Sequence, residues 1–155
     1  MEKEQIMEFK GLIVKFCENF IEDKLKIQQD QIARAKQSLE GSSKSSAGDK
    51  HETSRAMAQL EMEKAGAQYQ RLLQEKELQE RVNALALTRS TQVSLGSLIQ
   101  SAKGWFFIGI SIGPVQISDE NVIIISGKSP LGAGFIGKTV GESNSFNAVK
   151  IQAIF

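Results

Sequence analysis

The sequence predicts an α+β protein: a long antiparallel helical hairpin followed by a small, mostly antiparallel sheet that carries one short helix. Three observations predict it. Charge gathers in the first part of the chain, where residues 1–91 hold 15 basic and 15 acidic side chains against 4 and 3 in residues 92–155. The first proline is Pro114, so no obligate helix breaker lies in residues 1–91. Beyond that point the apolar pattern changes from helical spacing to alternation, which is the spacing of strands.

In the first helix Ile6, Phe9, Ile13, Phe16 and Phe20 recur at three- and four-residue steps. Such a stripe is coiled-coil-like, and a lone helix would leave it wet. It thins through Leu25, Ile32, Ala35 and Leu39, and the helix is expected to end at Gly41. The run Gly41-Ser42-Ser43-Lys44-Ser45-Ser46-Ala47-Gly48 is a turn by composition. A second helical pattern starts near Asp49 and reaches about Leu87, with Ala56, Leu60, Ala67, Leu72, Leu78, Val82 and Leu85 facing inward. Gly66 is a modest cost within it.

Two helices of similar length joined by a short polar turn fold back on each other. Residues 1–87 therefore read as an antiparallel coiled-coil hairpin with its tip near 41–53, each arm on the order of 50 Å long. The tip is expected to project, and the base, around Phe9–Phe20 and Val82–Leu87, to meet a second module at 92–155.

In that module Ile108, Ile110 and Ile112 alternate with small residues, and Val122-Ile123-Ile124-Ile125 suits a strand buried on both faces. Val149, Ile151, Ala153 and Phe155 alternate again. Ser129 followed by Pro130 is a favourable N-cap and N1 pair for a short helix.

Composition narrows the function. Nineteen Lys and Arg stand against eighteen Asp and Glu, so there is no basic excess to grip phosphate backbones unaided. Cys17 is the lone cysteine, which rules out an intrachain disulfide and favours a small apolar role on its helix. The polar start lacks a secretory pattern, and the most apolar window, Trp105 to Ile112, is far short of the roughly 20 residues of a spanning helix. A cytoplasmic protein with no membrane partner is the expectation. His51 is the single histidine and lies at the turn, which argues against a serine hydrolase and a histidine metal site. The cluster Gly132, Gly134 and Gly137 lacks the upstream spacing of a phosphate-cradling P-loop.

The turn itself reads Ser46-Ala47-Gly48-Asp49-Lys50-His51-Glu52-Thr53. Asp49 as N-cap and Glu52 at N3 form a capping box, each satisfying a backbone N–H that would otherwise lack a partner. Acidic residues there also suit the helix dipole. The same pair, carried at the end of a long arm, can instead be delivered to a site elsewhere. Two carboxylates can bind a hard cation such as Mg2+, but they would hold it weakly without further ligands from a partner.

At these residues the chain resembles the Gre transcript cleavage factors of bacterial RNA polymerase. Gly48-Asp49-Lys50-His51-Glu52 matches the start of their hairpin tip. Leu95-Gly96-Ser97, the strand Val122–Ser126, and Ser129-Pro130 leading to Gly137-Lys138-Thr139-Val140-Gly141-Glu142 resemble their C-terminal domain, so the likeness spans nearly the whole chain. The resemblance implies an FKBP-like C-terminal domain that docks on the polymerase and a hairpin that enters its secondary channel. It further implies that Asp49 and Glu52 help hold a second Mg2+, shared with the polymerase active site and not bound stably by this chain alone. Backtracked RNA would be hydrolysed by the polymerase, so the chain would not be an enzyme by itself. A monomer is the simplest expectation.

The tip also departs from the family. Where the family has asparagine, alanine, glutamate and tyrosine, this chain has Thr53, Ser54, Arg55 and Ala56. Lys50, His51, Thr53 and Arg55 become candidate contacts to RNA or polymerase, and a Gre-like channel factor that inhibits without promoting cleavage is the alternative. Prolyl isomerase activity, suggested by the implied fold, is outweighed by a core role for Trp105, Phe106, Phe107 and Phe135. A coiled-coil adaptor would account for the hairpin but not for the C-terminal motif.

Overall fold

Two long helices open the chain: α1, Lys3–Ser43, and α2, Gly48–Leu85. The computed structural model describes residues 1–43 and 48–155, with the side chains of 1–41 and 52–155. Five strands follow: β1 Leu98–Ser101, β2 Gly104–Gly109, β3 Gly113–Ile117, β4 Glu120–Ser126 and β5 Ala153–Ile154, with the short helix α3, Pro130–Phe135, between β4 and β5. The fold is α+β, as the sequence predicts.

The chain forms two compact units. One comprises Met1–Asn19 with Glu77–Phe155; the other is Phe20–Lys76. In both, the helices run antiparallel. Within Phe20–Lys76, Lys76 Nζ lies 3.0 Å from Glu22, Gln29 Nε2 donates to the Tyr69 hydroxyl at 3.1 Å, and Gln28 Nε2 donates to the Ala65 carbonyl at 3.1 Å. Glu22 thus pairs near the end of this stretch of α2, and Gln28 and Gln29 with positions a turn or more before it, the order of an antiparallel pair.

The buried seam differs from the expected one. In α2 the buried residues Ala58, Ala65, Leu72 and Gln79, with Ala86 just past its end, recur at every seventh position; of the expected inward residues Leu72 and Val82 are buried, whereas Ala56, Leu60, Ala67 and Leu85 are exposed and Leu78 is half-buried. A strict seven-residue repeat is the periodicity of a left-handed supercoil. In α1, Ile21, Leu25, Gln28 and Ala35 are buried with Ile32 and Leu39 half-buried, giving alternating four- and three-residue steps. Upstream, Ile13, Cys17, Ile21 and Leu25 are spaced by fours, so Cys17 and Ile21 are buried while Phe16 and Phe20 fall to the flank. The expected Phe16–Phe20 seam is corrected by this phase shift. α1 also continues through Gly41 to Ser43 instead of ending at Gly41.

The sheet order is β3-β4-β2-β1-β5. All neighbouring pairs are antiparallel except β2 and β4, which run parallel from Trp105 opposite Val122 to Gly109 opposite Ser126. β1 and β2 form a hairpin across Ala102-Lys103, and β3 and β4 one across Ser118-Asp119, both at positive φ (49° and 63°). Two successive left-handed residues are what a type I′ hairpin turn requires.

Ile110 and Ile112 lie outside the strands, so only Ile108 of the expected alternating run is in β2. The run Trp105–Ile108 is buried throughout because β2 is covered on both faces. On one face Phe106 and Ile108 join Val93, Ile99, Ile125, Phe135, Val149 and Ile151 in one core. On the other, Trp105 meets Phe9 of α1 edge-on, 5.5 Å between ring centres, and Val82 of α2 approaches Gly109. The first turns of α1 and the last of α2 thus pack on the sheet. The expected C-terminal strand shortens to Ala153–Ile154, with Val149 and Ile151 buried in the preceding loop.

Candidate functional site

The expected site has two parts: the start of α2 and the turn after α3. α2 begins at Gly48, so Asp49 falls inside its first turn and not at the flanking N-cap position. Positions 49 and 52 are three apart in one helix and share a face, where Cβ atoms sit about 5–6 Å apart. The side chains of Asp49, Lys50 and His51 lie outside the described residues. Glu52, Thr53 and Arg55 are exposed. Glu52 is therefore open to a partner. Two carboxylates supply two to four oxygen ligands, short of the six an octahedral Mg2+ takes, so a cation held by this pair would need further ligands from elsewhere. Among the described residues no group of three His, Cys, Asp or Glu side chains gathers as a metal site.

The C-terminal motif has a clear structural role. Ser129 caps α3: its Oγ accepts from Gly132 N at 3.1 Å and donates to the Ser126 carbonyl at 2.7 Å, while Pro130 takes the first helical position. A side chain at Gly132 would collide with the Ser126 carbonyl, and one at Gly134 with Asn144 Oδ1. Glycine lets the backbone approach another backbone at Gly132 and the Asn144 side chain at Gly134.

Gly137 and Gly141 take positive φ, 78° and 90°, at the two bends of the turn that follows. Gly137 N donates to the Val93 carbonyl, Val93 N to the Lys138 carbonyl and Gly141 N to the Ile151 carbonyl, each between 2.8 and 2.9 Å. Glu142 Oε1 accepts from Thr139 Oγ1 at 2.6 Å and Thr139 N at 3.2 Å. Those bonds, led by the Thr139 hydroxyl and helped by Lys138, hold the Glu142 carboxyl below its ordinary range. Ile136 just before this turn, Val140 within it and Phe146 in the following loop are exposed.

Asn144, buried, organises the loop behind α3. Its Nδ2 donates to the Leu131 carbonyl at 2.9 Å, and its Oδ1 accepts from Phe146 N at 2.7 Å and Asn147 N at 3.2 Å. Sequence reasoning passed over Asn144, and over Lys10, which is buried within the apolar stripe of α1 and donates from Nζ to the Phe155 carbonyl at 2.9 Å. The visible signal for Lys10 was a lysine one turn after Ile6 and next to Phe9, on the seam side.

The class defined by these elements is an α+β protein that joins a long helical pair to a five-stranded sheet with one short helix. No protein-family model, curated protein or solved structure matches the chain. Among the described residues no helix is long and apolar enough to cross a membrane.

Proposed function

We propose that this chain is an accessory factor of bacterial RNA polymerase that stimulates the polymerase's own hydrolysis of backtracked RNA. The observation that carries the reading is the placement of positions 49 and 52 on one face of the first turn of α2, directly after the link between two paired helices, with Glu52 exposed. The capped α3 and the Gly137–Glu142 turn support it, because they are the elements on which the resemblance to the Gre factors' FKBP-like domain rests.

In this reading the sheet-bearing part docks on the polymerase and the helical pair enters the secondary channel. Asp49 and Glu52 would contribute carboxylate oxygens to a Mg2+ ion whose other ligands would come from the polymerase and the transcript. A cation bound there supplies charge stabilisation and a more acidic water. The chain's own contribution is to bring and orient the two carboxylates; it does not catalyse by itself. The protein acts in the cytoplasm, as a monomer.

A second reading is favoured by the departure Thr53-Ser54-Arg55-Ala56, which removes an acidic and an aromatic residue and adds a cation. A factor with that tip would occupy the channel and inhibit. Stalled, backtracked complexes incubated with Mg2+ and the protein separate the two. Shortened transcripts that vanish with Asp49→Ala and Glu52→Ala support cleavage, and blocked synthesis without shortening supports inhibition. Absence of both effects refutes both.

A further inference from the structure

The first turns of α1 present three sides. Ile6, Phe9 and Ile13 are buried, and Glu4, Glu8 and Lys15 are exposed. The third side carries Lys3, Met7, Lys10, Gly11, Val14 and Glu18, one stripe at helical spacing, and it lines two cavities. One, of about 310 Å³, faces residues 88–91 and Ile154; the other, of about 210 Å³, faces Asn83, Ala86 and Leu87 at the end of α2. Met7 and Lys10 line both, so the two join as one groove along α1 from position 3 to position 18. At the helical rise that is roughly 22 Å.

The middle of this groove is apolar and open. Leu87 is 81 % exposed, Met7 and Val14 are half-buried, and a side chain at Gly11 would meet nothing within 4 Å. Lys10 forms part of the floor and adds no free charge, since its ammonium is committed to the Phe155 carbonyl at 2.9 Å. Charge lies at the two ends and differs in sign. Lys3 and Arg89, both exposed, stand at one end, and among the described residues no acidic side chain lines that cavity. Glu18 stands at the other end, its Oε1 bonded by Asn83 and its Oε2 3.5 Å from the exposed Lys15.

We propose that this groove receives an amphipathic helix of a partner protein, laid along α1 as a third helix against the α1–α2 pair. A helix entering such a groove presents apolar anchors at three- and four-residue steps. The open space over Gly11, between Met7 and Val14, takes the central anchor, and Leu87 packs on its flank. The ends fix direction: an acidic residue of the partner meets Lys3 and Arg89, and a basic residue meets Glu18. A small apolar ligand would fill the space over Gly11 and leave both charged ends unused; a helix of about four turns engages the whole length. The surface is independent of the polymerase reading, since it uses none of the residues at the start of α2.

The test is selection of a phage-displayed library of helical peptides, roughly five turns long, on the full chain, followed by calorimetric titration of the enriched sequences. The expected result is convergence on three apolar anchors at helical spacing, with an acidic residue at one end and a basic residue at the other. Gly11→Leu fills the open space and should weaken binding by roughly tenfold or more. It replaces an exposed glycine by a better helix former, so a folding defect would not account for the loss. Arg89→Glu should weaken the same peptide, and exchanging the peptide's acidic end residue for lysine should restore it. Lys128→Ala, on the exposed turn after β4, should change nothing. No enrichment, binding that Gly11→Leu leaves unchanged, or apolar sequences without a charge preference at the ends each overturn the proposal. So does a dimer in sedimentation that Gly11→Leu dissolves, because a second copy of the chain would then fill the groove.

Discussion

Replacing Gln79 by methionine should make the protein more stable, although it removes a hydrogen bond. Gln79 is 2 % exposed and occupies one of the seven-residue core positions of α2. Its Nε2 donates to Asn83 Oδ1 at 2.8 Å, and Asn83 Nδ2 in turn donates to Glu18 Oε1 at 2.7 Å. Its Oε1 is buried with no partner. An unmatched buried acceptor costs about 1–3 kcal/mol, and a fully buried methionine gains about 1.5–3 kcal/mol over an exposed one. The lost bond to Asn83 returns about 0.5–1.5 kcal/mol, and Asn83, half-buried, can turn its oxygen to water. The terms overlap, so a net gain of about 1–2 kcal/mol is the expectation. For a chain of this size that corresponds to a Tm rise of about 2–8 °C. Urea unfolding, followed by the fluorescence of Trp105 and by helical circular dichroism, measures it directly. A loss of about 1 kcal/mol or more in Gln79→Met would refute the reasoning, because it would mean that Oε1 has a partner in solution. The native Gln79 then reads as a residue that fixes helix register at a cost in stability, the role a polar side chain takes at a single coiled-coil core position.

Asn144→Ala should destabilise by about 2–4 kcal/mol, since three hydrogen bonds are lost and the Leu131 carbonyl is left without its donor; a change under about 0.5 kcal/mol in urea unfolding would contradict the role given to this loop. Stability should also depend on pH in a signed way. Lys10 is held down at about 8, so between there and 10.5 the unfolded chain keeps a proton the folded one has released, and stability rises with pH. Burial, with Glu18 adding to it, pushes the Cys17 thiol up from 9.0 to about 12, so its contribution is full below pH 9 and is lost as pH climbs toward 12. Urea midpoints should therefore climb from pH 8 to 9 in the native sequence, and the climb should be absent in Lys10→Met. The same burial keeps Cys17 unreactive: a thiol reagent at pH 8 should label it only in denaturant, and fast labelling of the folded protein would contradict its place in the seam.

Element type was legible in the sequence where one signal dominated. Proline-free charged segments with periodic apolar residues gave two helices, β-branched Val122–Ile125 gave a strand with neighbours on both sides, and Ser129-Pro130 gave the cap of α3. Facing was less legible. Large side chains drew attention to Phe16, Phe20 and Leu60, but the seam prefers Cys17, Ala58 and Ala65, because small residues let two helices approach closely. β1 and β3 were missed because Gln100, Pro114 and Gln116 interrupt any apolar alternation, and the pairing with β2 and β4 is what makes them strands. At the candidate site, the carboxylate pair and the glycine-rich turn were readable as motifs. The buried cation Lys10 was not, since its environment is assembled from segments 145 residues apart.

The central claim is that the start of α2 reaches the catalytic centre of RNA polymerase. A photo-crosslinking amino acid at position 52, in the full chain bound to a backtracked elongation complex, tests it most directly. The account predicts crosslinks to the 3′ segment of the transcript and to polymerase residues around the active-site Mg2+, while a crosslinker on the exposed turn at Lys128 gives none there. Crosslinks from position 52 confined to the outer surface of the polymerase, or no binding to the complex at all, would contradict it.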